Sequence, residues 1–326
     1  MDQILSPEPQ TATGEKTIYR SACRMCHGGC GVLVHVENEK IVKIEGDPAS
    51  PLNKGKLCPM GAASMEHVYS SARLKYPQRR VGKRGDGEWQ RISWDEAYDE
   101  IAAKLQNIIG QDGAESVWVG TGTGRHHFAF VSRFANALGT PNWCEPGTAQ
   151  CFRPRVNASY LTFGDLPVCN YTEDTPPELV IFWGHNPLTS GPDGEVGFSV
   201  REGLTNRPKT IVVDPRKTWL AGKADLWLQL RPGTDDARAL AMLNVVIGEG
   251  LHDEEFVRQW THGFDALAER VRDCTPEWAA EITWVPADKI RAAARLYGET
   301  RPSMMEWGCA LEHTPNCIQT VRAVMM

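Results

Sequence analysis

No apolar run in the 326 residues approaches the length that crosses a membrane. Basic residues are in deficit: 35 Lys and Arg stand against 41 Asp and Glu, a net charge of −6. That balance excludes the strongly basic surface a nucleic-acid partner asks for. Neither a charged-then-apolar leader nor a twin-arginine motif opens the chain; residues 1–16 read as a polar tail, Arg79-Arg80 lies too deep to serve, and the expected compartment is the cytoplasm. There is no internal repeat, no low-complexity segment and no P-loop. Gly120, Gly122 and Gly124 fall short of a dinucleotide fingerprint because position 125 is Arg. What remains is a chain long enough for two domains, 41% hydrophobic and 23% charged, as an ordinary globular protein is.

The cysteines are not ordinary. Cys23, Cys26 and Cys30 lie within eight residues, and Cys58 follows after a segment of strand character. Four thiolates are what a cubane iron–sulfur cluster requires, and Gly28, Gly29 and Gly31 let the backbone wrap closely around sulfur. Structural zinc usually pairs two short cysteine knuckles, and Cys58 stands alone. Disulfides belong to oxidising compartments. The other cysteines, Cys144, Cys169, Cys274, Cys309 and Cys317 among them, read as small core residues.

Along the chain, Gly31–Val36 and Lys40–Glu45 alternate around a turn at Glu37–Glu39, a hairpin with one buried face. Residues 17–75 thus form a small domain whose thin core a cluster would hold together. The basic stretch from Arg73 to Trp89 reads as a solvated connection. Ser93 and Glu96 make a capping box for a helix ending at Gly110. Strand, turn and helix then alternate. Ser116–Val119 leads to glycines and a helix near His127–Leu138. Leu179–Trp183 leads to Gly184-His-Asn-Pro187, and Thr210–Val213 to Asp214-Pro-Arg216. This pattern implies a doubly wound, mainly parallel α/β sheet with ligands beyond the carboxyl ends of its strands. Asp214 suits a nucleotide's ribose or base edge and equally a helix cap. Gly233-Thr-Asp235 opens a helix whose N-terminus suits phosphate, as many caps do. Helices follow over Asp253–Trp260, Pro276–Ile282 and Pro286–Tyr297, then a strand over Pro302–Trp307. The helix begun at Asn316 stops without a cap, as if more protein followed.

In order, Cys23/Cys26/Cys30/Cys58, Arg91-Ile-Ser-Trp-Asp-Glu96, Trp183-Gly-His-Asn-Pro187, Val213-Asp-Pro-Arg216 and Arg231-Pro-Gly-Thr-Asp235 resemble the molybdopterin oxidoreductases of the dimethyl-sulfoxide-reductase family, from about residue 17 to the end. The resemblance implies an α/β fold with a small N-terminal β-hairpin [4Fe–4S] domain, a molybdopterin-binding region over 76–326 that is C-terminally incomplete, and a molybdenum or tungsten ion held by two molybdopterin guanine dinucleotides. It implies Cys23, Cys26, Cys30 and Cys58 as cluster ligands, and Gly184, His185, Asn186, Asp214, Arg216, Gly233 and Asp235 as cofactor contacts. By position it makes Cys151 the metal's protein ligand, with Cys144 as competitor; a soft thiolate suits such a metal. Arg155, one helical turn on, is the candidate to orient an anionic substrate, and equally a structural ion-pair residue. His126, His127 and His313 are further proton-transfer candidates.

Three departures qualify the resemblance. Met60 stands where many relatives carry Lys or Arg between cluster and pterin; Phe152, not His, follows Cys151, which counts against formate; and the family's last domain is missing. The implied activity is two-electron oxo- or hydride-transfer on a small molecule, with electrons passed through the cluster to an electron-transfer protein or subunit. Two alternatives stay open. One is a tungsten hydratase resembling acetylene hydratase, to which the Val81–Gly85 and Pro141–Trp143 stretches are similar. The other is a cluster-bearing electron-transfer subunit without an active metal site.

Overall fold

A computed structural model describes residues 16–26, 28–122, 128–145, 151–167, 175–190 and 194–326. The described chain divides into two compact units, the first ending at Gly113 apart from a short return near 198, the second holding nearly everything from Ala114 to Met326.

The first unit opens with three antiparallel strands in the order β1 (Thr17–Ala22), β2 (Gly31–Glu37) and β3 (Lys40–Gly46). The β2–β3 hairpin is the one its alternating sequence predicts. Its turn residues Asn38 and Glu39 both take positive φ, 49° and 60°, which is what a two-residue turn matched to strand twist requires. Between His35 and Val36 the register shifts, and His35 is buried beside Glu45, Nε2 to Oε1 at 2.8 Å. Strand β1 carries no clean alternation and is exposed throughout. It is held by its ladder to β2, from Thr17 opposite Val36 to Ala22 opposite Gly31.

Two short helices follow, α1 (Pro59–Ala62) and α2 (Ser64–Tyr69), then a small hairpin, β4 (Gln78–Arg80) with β5 (Trp89–Arg91). Ser93 caps α3 (Trp94–Asp112) through the reciprocal Ser93–Glu96 box. The helix runs through Gly110 and stops at Gly113, whose φ of 82° breaks it. A glycine inside a helix costs stability without ending it; the positive φ is what ends it here.

In the second unit β6 is only Val119–Gly120, following a tight turn at Ala114–Ser116. It pairs in parallel with β7 (Trp143–Cys144), apart from the main sheet; between them runs α4 (Phe128–Leu138). The next elements are α5 (Arg153–Phe163), β8 (Leu179–Trp183), α6 (Pro187–Ser190), α7 (Gly194–Gly203), β9 (Lys209–Val213) and β10 (Leu226–Leu228). Helices α8 (Asp235–Gly248), α9 (Glu254–Trp260), α10 (Phe264–Val271), α11 (Pro276–Thr283) and α12 (Ala287–Glu299) then lead to β11 (Ser303–Trp307) and α13 (Cys317–Met325).

The main sheet is parallel throughout, in the order β10–β9–β8–β11. All five residues of β8 are at most 1% exposed. An uninterrupted apolar run is how a strand covered on both faces reads. Leu179, Ile181 and Trp183 join one core with residues of α5, α8, α11, α12 and α13; Val180 and Phe182 alternate to the opposite face. The strand order places β9 and β10 on one side of β8 and β11 on the other. The direction of winding reverses between β8 and β11, the point in such sheets where ligands bind beyond the carboxyl ends of the strands.

Candidate functional site

Chemistry-bearing residues gather in two places, one in each unit. In the first unit, Cys30 is buried at the start of β2. Burial pushes its thiol up, and Cys26, Cys23 and Cys58, in that order, push it further by their charge. The four sulfurs therefore share one neighbourhood. Backbone N–H groups aim at two of them, Gly28 at Cys26 Sγ (3.4 Å) and Gly61 at Cys58 Sγ (3.5 Å). Cys58 also caps α1, with Pro59 as its first residue. A Cβ added at Gly61 would lie 2.6 Å from Leu57 Cδ1 and 3.4 Å from Cys23 Sγ, so a side chain there would have to displace Leu57. Thiols together with N–H donors suit an iron–sulfur cluster, whose sulfurs accept such bonds.

Asn53, which the sequence reading passed over, ties this neighbourhood together. It is 1% exposed. Its Oδ1 accepts from Gly31 N–H (2.9 Å), and its Nδ2 donates to the carbonyls of Gly31 (3.0 Å) and Lys56 (2.7 Å). The turn after Cys30 is thereby joined to the approach to Cys58. An asparagine in a Pro- and Gly-containing loop is common, and nothing around it in the chain marks this one.

The second gathering lies at the carboxyl ends of β8 and β11. Trp183 and Trp307 are in register, and each is followed by glycine. Gly308 N–H donates to Trp183 O (3.0 Å), and Gly184 N–H to Val213 O (2.8 Å). A Cβ on Gly308 would run into the Gly184 carbonyl oxygen. Gly184 has φ of 58°, and a Cβ there would crowd Ala310 and Leu311. The two turns pack backbone on backbone, which brings His185 beside Glu306. His185 Nδ1 lies 2.8 Å from Glu306 Oε1. Burial and then the Arg155 cation lower His185 to about 4. Burial raises Glu306 to about 7, with Arg155 pulling the other way. At neutral pH the imidazole is uncharged and Glu306 holds a proton part of the time.

Cys151 and Phe152 lead directly into α5, with Phe152 as its N-cap residue. Cys151 Sγ lies 3.9 Å from Cys309 Sγ. Burial, then Glu312 and Cys151, push the Cys309 thiol up to about 11. Arg155 donates to Trp307 O (3.0 Å) and pairs with the fully buried Glu312 carboxylate (2.8 Å). Burial raises Glu312 against the pull of Arg155.

The remaining sequence-derived residues fall along the same edge of the sheet. Asp214, buried at the end of β9, accepts from Arg216 N–H (2.8 Å), while the Arg216 side chain is largely exposed. Gly233 takes φ of 81° before α8. Asp235 faces inward: its Oδ1 accepts from Trp183 Nε1 (2.8 Å), and burial raises its carboxyl. The fully buried Arg238 stacks 3.9 Å over the Trp183 ring, and burial lowers it to about 9. Cys144 is exposed at the end of β7, Cys274 is buried, and His313 is exposed. Gly124, His126, His127 and Cys169 lie outside the described residues.

Glu306 and Glu312 were not singled out from the sequence, and Cys309, read there as a small core residue, is only half-buried. Two signals were available: an acid inside the apolar strand Met304-Met-Glu-Trp307, and a second Trp-Gly pair at a strand end.

Sulfur clustered on a small sheet, and thiols with buried titratable groups at the reversal point of a parallel sheet, define a two-unit α/β protein built around sulfur-bound centres. The descriptions "Molybdopterin oxidoreductase Fe4S4 domain" and "Molybdopterin oxidoreductase" match residues 16–70 and 73–326. The chain belongs to the molybdopterin oxidoreductase family, and its cofactors are a [4Fe–4S] cluster and a molybdopterin-held metal. The molybdopterin-containing subunit PhsA of thiosulfate reductase from Salmonella typhimurium is 36% identical over 289 residues, covering 89% of this chain and 37% of that protein. Acetylene hydratase from Syntrophotalea acetylenica is 34% identical, covering 92% and 41%. Dimethyl sulfoxide reductase DmsA of Escherichia coli is 31% identical, covering 97% and 43%. The solved structure of acetylene hydratase from Pelobacter acetylenicus is similar with a TM-score of 0.76 at 32% identity, over 94% of this chain and 42% of that one. The chain thus spans less than half the length of these relatives. Among the described residues, no helix is long and apolar enough to cross a membrane.

Proposed function

We propose that the chain is the cluster-bearing and metal-ligating part of a molybdenum- or tungsten-dependent oxidoreductase acting on a small molecule. In this reading residues 17–75 form the cluster domain, with Cys23, Cys26, Cys30 and Cys58 as ligands. Residues 76–326 would hold the pterin-bound metal, with Cys151 as its protein ligand and Gly184, His185, Asn186, Asp214, Arg216 and Gly233 as the contacts for two guanine dinucleotides; Asp235, turned inward onto Trp183, would act by holding that strand end in place. The observation that carries the proposal is the placement of Cys151 at the point where the sheet's winding reverses, beside the carboxyl ends of β8 and β11. The metal supplies two-electron chemistry when bound. The chain's own groups position it and manage protons: Glu306, raised to about 7, and neutral His185 can pass a proton at working pH. Arg155 is already matched by Glu312, so it recognises an anion only by exchanging that partner. A cluster held by Cys23, Cys26, Cys30 and Cys58 would supply one-electron transfer to a protein or subunit partner. The cytoplasm is the compartment this reading assigns, because thiolate ligands are kept reduced there.

A second reading is a tungsten hydratase, favoured by the likeness to acetylene hydratase over nearly the whole chain. Metal analysis of anaerobically purified protein, with a viologen-linked assay and an acetylene hydration assay, separates the two. Molybdenum with viologen oxidation supports the first, and tungsten with hydration alone supports the second. Cys151→Ser that keeps full metal content and activity would refute the assigned ligand in both.

A further inference from the structure

We propose that Cys151 and Cys309 form a modification site: a low-molecular-weight disulfide of the glutathione type oxidises the pair to an intramolecular disulfide. Their sulfurs already touch, Sγ to Sγ at 3.9 Å, and Cys309 Sγ lies 3.6 Å from the Cys151 carbonyl oxygen. A disulfide bond is roughly 2 Å long, so the sulfurs must approach by about that much again. Rotation of the two side chains, with Cys151 lying before the first turn of α5, supplies that movement. Both thiols are half-buried, not sealed, and both are free. The link would join the start of α5 to the turn after β11, segments 158 residues apart.

The chemistry balances without a further reagent. One cysteine attacks the small disulfide, forming a mixed disulfide and releasing one small thiol. The other cysteine attacks the protein sulfur of that mixed disulfide and releases the second small thiol. The two cysteines lose two electrons and two protons, and one disulfide becomes two thiols. Cross-linking stands on the sulfur geometry alone. Its consequence rests on the reading of Cys151 as the metal's ligand: a chain so linked has no thiolate to offer molybdenum, and a chain holding molybdenum has no free thiol to link.

The test treats the 326-residue chain, purified anaerobically without molybdenum, with oxidised glutathione. Remaining thiols are alkylated and the peptides mapped by mass spectrometry. The expected product is a peptide pair joined through Cys151 and Cys309, two hydrogens lighter than its separate thiols and released by dithiothreitol. Cys309→Ser loses the pair and leaves Cys151 carrying glutathione or the alkyl group. Recovery of both cysteines alkylated in the wild-type chain, or each joined to some other cysteine, overturns the proposal. The same treatment of molybdenum-loaded protein keeps the two claims apart. Loss of the cross-link there supports metal ligation by Cys151. Unchanged cross-linking refutes that ligation and leaves the disulfide standing.

Discussion

Asn53 and Gly61 show how little material holds the sulfur site in shape. Asn53 makes three hydrogen bonds from a fully buried position. In Asn53→Ala the Gly31 N–H and the Lys56 carbonyl lose the Asn53 side chain, while the Gly31 carbonyl keeps Asp47 N–H, at a cost of about 2–3 kcal/mol. The urea midpoint and iron content should fall together. In Gly61→Ala the new methyl meets Leu57 and Cys23 Sγ. Overpacking of that kind costs about 1–3 kcal/mol, and it falls on the Leu57 side chain beside Cys58, so iron per chain should drop along with stability. Glu306 gives a pH prediction. Its carboxyl is raised from 4.5 to about 7 by burial, so the native state prefers it protonated. That contribution is whole below pH 4.5 and is lost as pH rises through about 7. Glu306→Gln, which cannot ionise, should be more stable than the wild type at pH 8, by at most about 3 kcal/mol. The gap should close below pH 5 in paired urea titrations.

Elements divide into those the chain announces and those it does not. The capping box at Ser93 and Glu96 forms as its spacing predicts, and Ser93→Ala should cost about 1 kcal/mol of stability, read from the denaturant midpoint, without loss of iron. Strand β8 was legible to the residue because an unbroken apolar run bounded by Pro and Gly has few other readings. Strands β1 and β10 were not: one is wholly exposed and the other is three residues long, and both owe their conformation to pairing with neighbours. The same division runs through the candidate site. Cysteines spaced by two and three and turns after apolar strands are local signals. The meeting of Cys151 with Cys309, and of His185 with Glu306, depends on which strand β11 pairs with, and spacing along the chain carries no record of that pairing.

At the scale of the molecule, the two units draw on different sources of cohesion. The second has a continuous apolar core of strands and helices. The first buries little beyond Val32, Cys30, His35 and Asn53 around its three-stranded sheet, and a cluster would supply the rest of its stability. Removing iron with a chelator under reducing conditions should therefore speed amide exchange across Thr17–Ala22 and Gly31–Glu37 while Leu179–Trp183 stays protected. Hydrogen-exchange mass spectrometry reads both in one sample, and equal loss of protection in the two strand sets would show that the cluster has no such local role. The most direct measurement is iron and acid-labile sulfide per chain in anaerobically purified protein, wild type beside Cys58→Ser. Assignment of Cys23, Cys26, Cys30 and Cys58 as ligands predicts about four of each in the wild type and loss of the intact cluster in the variant. A colourless wild-type chain holding zinc, or iron content indifferent to Cys58, would contradict it.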